Sequence, residues 1–310
     1  MSAEGKLSLR FRRDADAPRT RLAEQYYKLP LQVLPPHYPD ESGTAFVYLL
    51  NPTGGVLAGD RLETELVLEE GASVVVETPS ASKIYRAEER PAGEFEEDAS
   101  PHARTHAHAH AETRLNVTLA PCARLEYIPR HAIPYAGSAL RQENRFFLDG
   151  DAALIAYDAF SSGRKARGES FAFTSYESTT EIHVDGALAL LDRIRLAPGE
   201  TDVSGIGLME GRYLCASFYL YQKDFPSEAK AAVEDILKQS GLPGGLTRLT
   251  PSLSVVRMLA DDMILFDRAA REVRDTLHRL LARPILRLHS AAPSSVLFPT
   301  RYISGERPSK

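Results

Sequence analysis

Three glycines and one carboxylate stand within ten residues in NPTGGVLAGD, residues 51–60. Gly54, Gly55 and Gly59 permit positive φ and close backbone approach. Two familiar glycine-rich sites are excluded by context. A phosphate-binding loop needs a closing Gly-Lys-Ser/Thr and a following helix, and a dinucleotide fingerprint also opens a helix. Here strand-like runs flank the segment on both sides, at residues 44–50 and 61–68. Asp60 continues the even-numbered set Leu62, Leu66, Leu68, so a regular strand aims it inward, where a carboxylate needs a partner, water or a metal ion. Glu63 has the opposite parity and faces the other side unless a glycine bulge shifts the register. A second candidate is His106, His108 and His110, alternating with alanine after His102. In an extended strand such histidines share one face and could bind a borderline metal ion, although nothing nearby fixes ligand geometry. Asp60, Asp158 and Glu169 could alternatively supply the paired carboxylates of a carbohydrate-cleaving enzyme. Against that, the chain contains neither GxSxG nor HExxH and has no tryptophan for a sugar cleft.

The elements that must position these groups are mostly strands. Residues 6–12, 61–68, 73–78, 115–119, 124–128, 144–148, 152–157, 170–174 and 179–184 alternate apolar and polar positions. A strand–turn–Ala–strand unit recurs as LVLEEGASVVVE, NVTLAPCARLEY, FFLDGDAALIAY and IHVDGALALLDR, with Ala72, Ala123, Ala152 and Ala187 in register. No such hairpin buries its own apolar face, so the repeat points to stacked β layers, with a two-sheet sandwich as the competing arrangement. Residues 210–222 read as a further strand. Two helices are expected near 227–240, between Ser227 as N-cap and Gly241, and near 262–283, ending at Pro284. The expectation is therefore a mainly β fold, β-helix-like or a supersandwich, in one domain spanning 1–310. The acidic, Ala/His-biased stretch at about 88–113 reads as a mobile insertion.

Composition narrows the class further. With 310 residues, 43% hydrophobic, the chain can bury a sizeable core. Cys122 and Cys215 are too far apart in sequence for a metal knuckle and read as small buried hydrophobes. A formal charge of −5 gives no general attraction for nucleic acid. No secretory h-region or membrane-length apolar run is present, so a soluble cytoplasmic protein is expected.

The order NPTGGVLAGD, SKIYR (82–86), LEYIPRHAIPYAGS (125–138) and GRKARGESF (163–171) resembles the signature series of the UreD (UreH) urease accessory proteins. The resemblance runs from about residue 7 to 287. It implies stacked strands plus two helices, no catalytic turnover, and no tightly bound cofactor. It further implies a chaperone that binds UreF, as a two-to-two assembly, joins the GTPase UreG and docks on apo-urease. Nickel would pass transiently through an internal tunnel. Residue by residue, Asp60, Glu63 and Glu169 match acidic positions proposed to line that tunnel. Asn51, Pro52, Gly54, Gly55, Gly59, Lys83, Tyr85, Arg86, Pro134, Gly163, Arg164 and Gly168 match motif positions. Thr53, where the family often has proline, and the 88–113 insertion depart from the pattern.

Overall fold

The repeating unit forms because a four-residue corner carries the chain from one sheet to another. The computed structural model describes residues 2–14, 19–86 and 110–281. Strand β6 (Arg61–Leu68) turns into β7 (Ser73–Glu77), β9 (Ala111–Leu119) into β10 (Arg124–Ile128), and β12 (Ala139–Leu148) into β13 (Ala153–Ser161). At each corner an alanine is buried: Ala72, Ala123 and Ala152. Each closes a turn by donating its amide to the carbonyl three residues back. The corners also stack on one another, with Arg124 N donating to Ala72 O at 2.8 Å and Ala153 N to Ala123 O at 2.9 Å. A larger side chain would hold adjacent coils apart.

Between coils the chain crosses a third, narrower face. Here β5 (Gly55–Val56), β8 (Ser82–Ile84) and β11 (Ala132–Pro134) pair in parallel. Strands β6, β9 and β12 also pair in parallel, joined by β1 (Glu4–Arg13) and β14 (Ser175–Val184). So do β4 (Ala45–Leu50), β7, β10 and β13. The middle of the chain is thus a β-helix-like coil, and antiparallel strands extend its two broad faces. One face becomes a seven-stranded sheet ending in β15 (Ala187–Leu196) on one side and β2 (Thr20–Lys28) on the other. The opposite face becomes an eleven-stranded sheet. Its antiparallel flank is β16 (Leu214–Gln222), β18 (Leu253–Ala260) and β17 (Gly244–Arg248), and β3 (Gln32–Val33) closes its far edge.

Parity divides the apolar residues between two cores. Leu7, Leu66, Val117, Phe146, Leu154 and Tyr176 meet between the sheets. Ile155, Tyr157, Phe218 and Val256, from the back of the eleven-stranded sheet, pack under helices α1 (Ala229–Gln239) and α2 (Met263–Leu280). The α2 N-cap is Asp262, whose carboxylate accepts the Leu265 amide at 2.8 Å. Polar pairs also fasten α2 to the sheet: His278 Nδ1 lies 2.8 Å from buried Glu126, and Arg274 donates to Glu77 at 3.1 Å. No described helix is long and apolar enough to cross a membrane.

Several expectations change. Ala187 is not a fourth corner: Asp185 and Gly186, both at positive φ, make a two-residue hairpin joining antiparallel β14 and β15. Residues 170–174 form no strand: Phe171 sits at a φ of 53°, its amide donates to Ser162 O, and Thr174 N donates to Ser138 O. The last three residues of the supposed insertion, 111–113, open β9. Glu228, not Ser227, is the N-cap position of α1 and makes no side-chain cap bond. Cys122 is exposed, in the β9–β10 corner at φ 58°. Cys215 is buried, and burial pushes its thiol up to about 12, so it stays a neutral hydrophobe.

Candidate functional site

The four sequence motifs come together on the narrow third face. Asn51 shapes its start: Oδ1 accepts from Thr53 Oγ1 at 2.6 Å, and Nδ2 donates to Gly55 O at 2.9 Å. With Pro52 and Thr53 it turns the chain at Gly54, whose amide donates to Asn51 O. Gly55 then lies flat against the Lys83 carbonyl and the Tyr85 ring. The coils continue the ladder, with Tyr85 N donating to Val56 O and Tyr135 N to Ile84 O, both at 2.9 Å. Tyr85 meets Tyr135 edge to face at 5.1 Å, and the Arg164 guanidinium covers Tyr135 at 3.9 Å. Arg164 also grips Glu169 through two donors, Nε at 2.8 Å and Nη2, and Ala136 N donates to the same carboxylate at 3.3 Å. These hydrogen bonds, Arg164 first, hold Glu169 below the usual carboxylate range. Gly163 sits between the carbonyls of Pro134 and Glu169, Gly168 ends the short 3-10 turn Lys165–Arg167, and Arg86 borders Gly137. The motifs therefore encode a docked, aromatic-floored ledge.

Behind the ledge, between the two sheets, lies a cavity of about 160 Å³, room for several water-sized groups. Its polar lining comes from inward positions on adjacent strands. Leu62, Thr113, Gln142 and Ser178 stand side by side across β6, β9, β12 and β14, and one rung further stand Thr64, Leu115, Asn144 and Thr180. From the opposite sheet Asp158 enters on the same parity as Leu154, Ala156 and Phe160. Its Oδ1 accepts from Gln142 Nε2 at 3.0 Å and its Oδ2 from Ser178 Oγ at 2.7 Å. No cation pairs with it among the described residues, and burial pushes its carboxyl above the ordinary aspartate value despite the two hydrogen bonds. Thr113 Oγ1 is buried with no hydrogen-bonding partner among the described residues. The arrangement offers one carboxylate facing the cavity, neutral oxygens and the guanidiniums of Arg114 and Arg130, but no nucleophile–base pair.

The acidic residues singled out by sequence do not converge. Asp60 is buried, and its oxygens are already engaged: Oδ1 accepts from Ala3 N at 2.7 Å, Oδ2 from Leu57 N at 2.9 Å. It ties the N-terminal strand to the glycine segment, and Gly59 adds a bond to the His110 carbonyl at 3.0 Å. Glu63 lies on the outer face of the seven-stranded sheet, 3.6 Å from Lys6. Glu169 belongs to the ledge. None of the three lines the cavity. His106 and His108 lie outside the described residues; among the described residues no group of three or more His, Cys, Asp or Glu could hold a metal ion. Asp158, considered from sequence only as part of a carboxylate pair, is the carboxylate that lines the cavity, which Arg114, Arg130, Tyr127 and Tyr157 also line. Its parity on β13 was the available signal; Gln142 and Ser178 gave none. Asp60→Ala is expected to lower stability by about 2 kcal/mol in urea titration, since it removes a buried carboxylate that accepts from two part-buried amides.

Comparison with known proteins agrees with the motifs. The family model described as "UreD urease accessory protein" matches residues 3–295. The chain is similar to the urease accessory protein UreD of Actinomyces naeslundii, 33% identical over 84% of this chain and 89% of the relative. Similar relatives are UreD of Klebsiella aerogenes (32%; 87% and 89%) and of Pseudomonas putida strain GB-1 (32%; 93% and 91%). The chain belongs to the UreD family of urease accessory proteins.

Proposed function

We propose that this chain is a non-enzymatic chaperone of urease maturation, acting in the cytoplasm as one UreD-like domain. It binds UreF in a two-to-two assembly, brings in UreG and docks on apo-urease. Nickel is its cargo and passes through the polar space between the sheets. The observation that carries this reading is the cavity with Asp158 at its wall, inside a member of the urease accessory family. A lone carboxylate held by two neutral donors gives a divalent ion few ligands, which favours transient over resident binding, as transfer requires. Asp60 and Glu169 fix the segments beside the path and do not line it, because their oxygens are committed to backbone amides and to Arg164. Glu63 lies outside the path.

The carbohydrate-enzyme alternative needs two carboxylates flanking one bond. Here Asp60, Asp158 and Glu169 each serve a separate set of partners.

The test is co-expression of urease subunits with UreF and UreG, with and without this chain, reading nickel per urease by elemental analysis. A rise of at least tenfold when the chain is present is expected. Equal nickel content in both preparations would overturn the proposal.

A further inference from the structure

The two sheets do not end together. Strand β13 lies under β12 and β14, as the Asp158 contacts to Gln142 and Ser178 require. Strands β16 and β18 lie under β15: Tyr219 donates to Asp192 at 2.7 Å, and Arg257 pairs with the same carboxylate. The eleven-stranded sheet then continues one strand further, to β17, whereas the seven-stranded sheet stops at β15. No described strand covers β17. The gap is a cleft of about 1050 Å³ bounded by the free edges of β15 and β17 and floored by Ile194, Met209 and Leu259. Leu208 stands at its rim, and Ile206, two residues earlier, is 98% exposed.

We infer that this slot receives an extended strand of a partner polypeptide in the urease-maturation complex, hydrogen-bonded to β15 and carrying acidic side chains on its outward face. The inference rests on the functional reading above. Three observations select the occupant. An edge strand offers a row of unpaired amides and carbonyls, which an incoming strand satisfies. The cleft stands at the top of the usual range of small-molecule pockets, roughly 300–1,000 Å³, and is lined by consecutive residues of both edge strands, 193–196 and 244–247. Beside it, Glu177 is shared by three guanidiniums: Arg141 at 3.7 Å, Arg193 at 3.4 Å and Arg195 at 3.3 Å. Of these, only Arg195 has a second carboxylate among the described residues, Glu200 at 2.8 Å. This surplus of positive charge on the outer face of β15 selects carboxylates opposite it. A second copy of β15 would bring more arginine to the same face.

Hydrogen exchange measured on the chain alone, and on its complex with co-expressed UreF, UreG and urease subunits, tests the inference. Peptides covering residues 187–196 are expected to exchange at least tenfold more slowly in the complex. Thr247→Trp, which fills the slot from exposed β17, is expected to abolish the slowing while leaving the circular dichroism and melting midpoint unchanged. Arg193→Glu is expected to weaken it. Unchanged exchange in a complex that contains the chain would overturn the strand docking and leave the functional reading standing. Slowing in the chain alone that grows with its concentration would assign the slot to a second copy and overturn the inference. Failure of any complex to form would overturn the functional reading and this inference with it.

Discussion

Gly55→Ala is expected to destabilise the protein by about 3 kcal/mol, the largest effect of any single-methyl change in the motifs. A β-carbon at this position would lie 2.4 Å from the Lys83 carbonyl oxygen and 2.4 Å from the Tyr85 ring. The carbonyl belongs to a backbone pair with β5, so it cannot move without opening the ladder. Displacing Tyr85 disturbs Tyr135, then Arg164 and Glu169, because these groups are stacked in series. Gly54→Ala is the control. It meets no atom within 4 Å and loses only the ease of a positive φ of 76°, about 1 kcal/mol. Urea midpoints of the two variants should therefore differ clearly, and the near-ultraviolet tyrosine signal should change mainly in Gly55→Ala. Equal midpoints would show that the ledge yields cheaply and that the motif glycines act only through their turn.

The same contrast explains what was legible in the sequence. The coil could be read because its corners repeat a local requirement: four residues between strands, at 69–72, 120–123 and 149–152, each ending in a buried alanine. The fourth copy misled because its letters match while its length does not. Two residues between strands, Asp185 and Gly186, return the chain into the same sheet, whereas four carry it across to the other. Counting the corner would have separated a hairpin from a coil. The motif segments were legible as strand connections, but their meeting on one ledge was not. It depends on pairing between β5, β8 and β11, and the partners in each pair lie 28 or 50 residues apart (83 − 55; 132 − 82).

The interior was legible in direction only. Alternation on β13 assigns Asp158 to the face of Leu154 and Phe160, and alternation on β6 assigns Asp60 to the face of Leu62. Parity cannot say what stands opposite. Asp60 meets backbone amides of residues 3 and 57, and Asp158 meets side chains from two strands of the other sheet. Two inward carboxylates of similar sequence context therefore have different work, one fixing a turn and one facing a polar cavity.

That difference makes opposite changes in stability and function the expected result of Asp158→Asn. The carboxamide keeps the volume and can accept from Gln142 while donating to Ser178 Oγ, so the fold is retained. It removes a charge that burial disfavours. Because the folded-state value is raised, ionisation of Asp158 opposes folding. The stability that its neutral form allows is present below the unfolded aspartate value and is lost as pH rises through the folded value. The variant should match the wild type in acid and exceed it at neutral pH, by ~2 °C or more in melting midpoint, with the gap opening across that window. Nickel delivery should move the other way. Without a negative charge at the wall, a divalent ion loses its one ionic partner in the cavity, and nickel per co-expressed urease is expected to fall at least tenfold. Asp60→Ala gives the reverse pattern, with stability reduced by the loss of two amide contacts. Full nickel content with Asp158→Asn would remove Asp158 from the path. A melting midpoint unchanged across the whole pH range would show that its charge is not buried in the working protein.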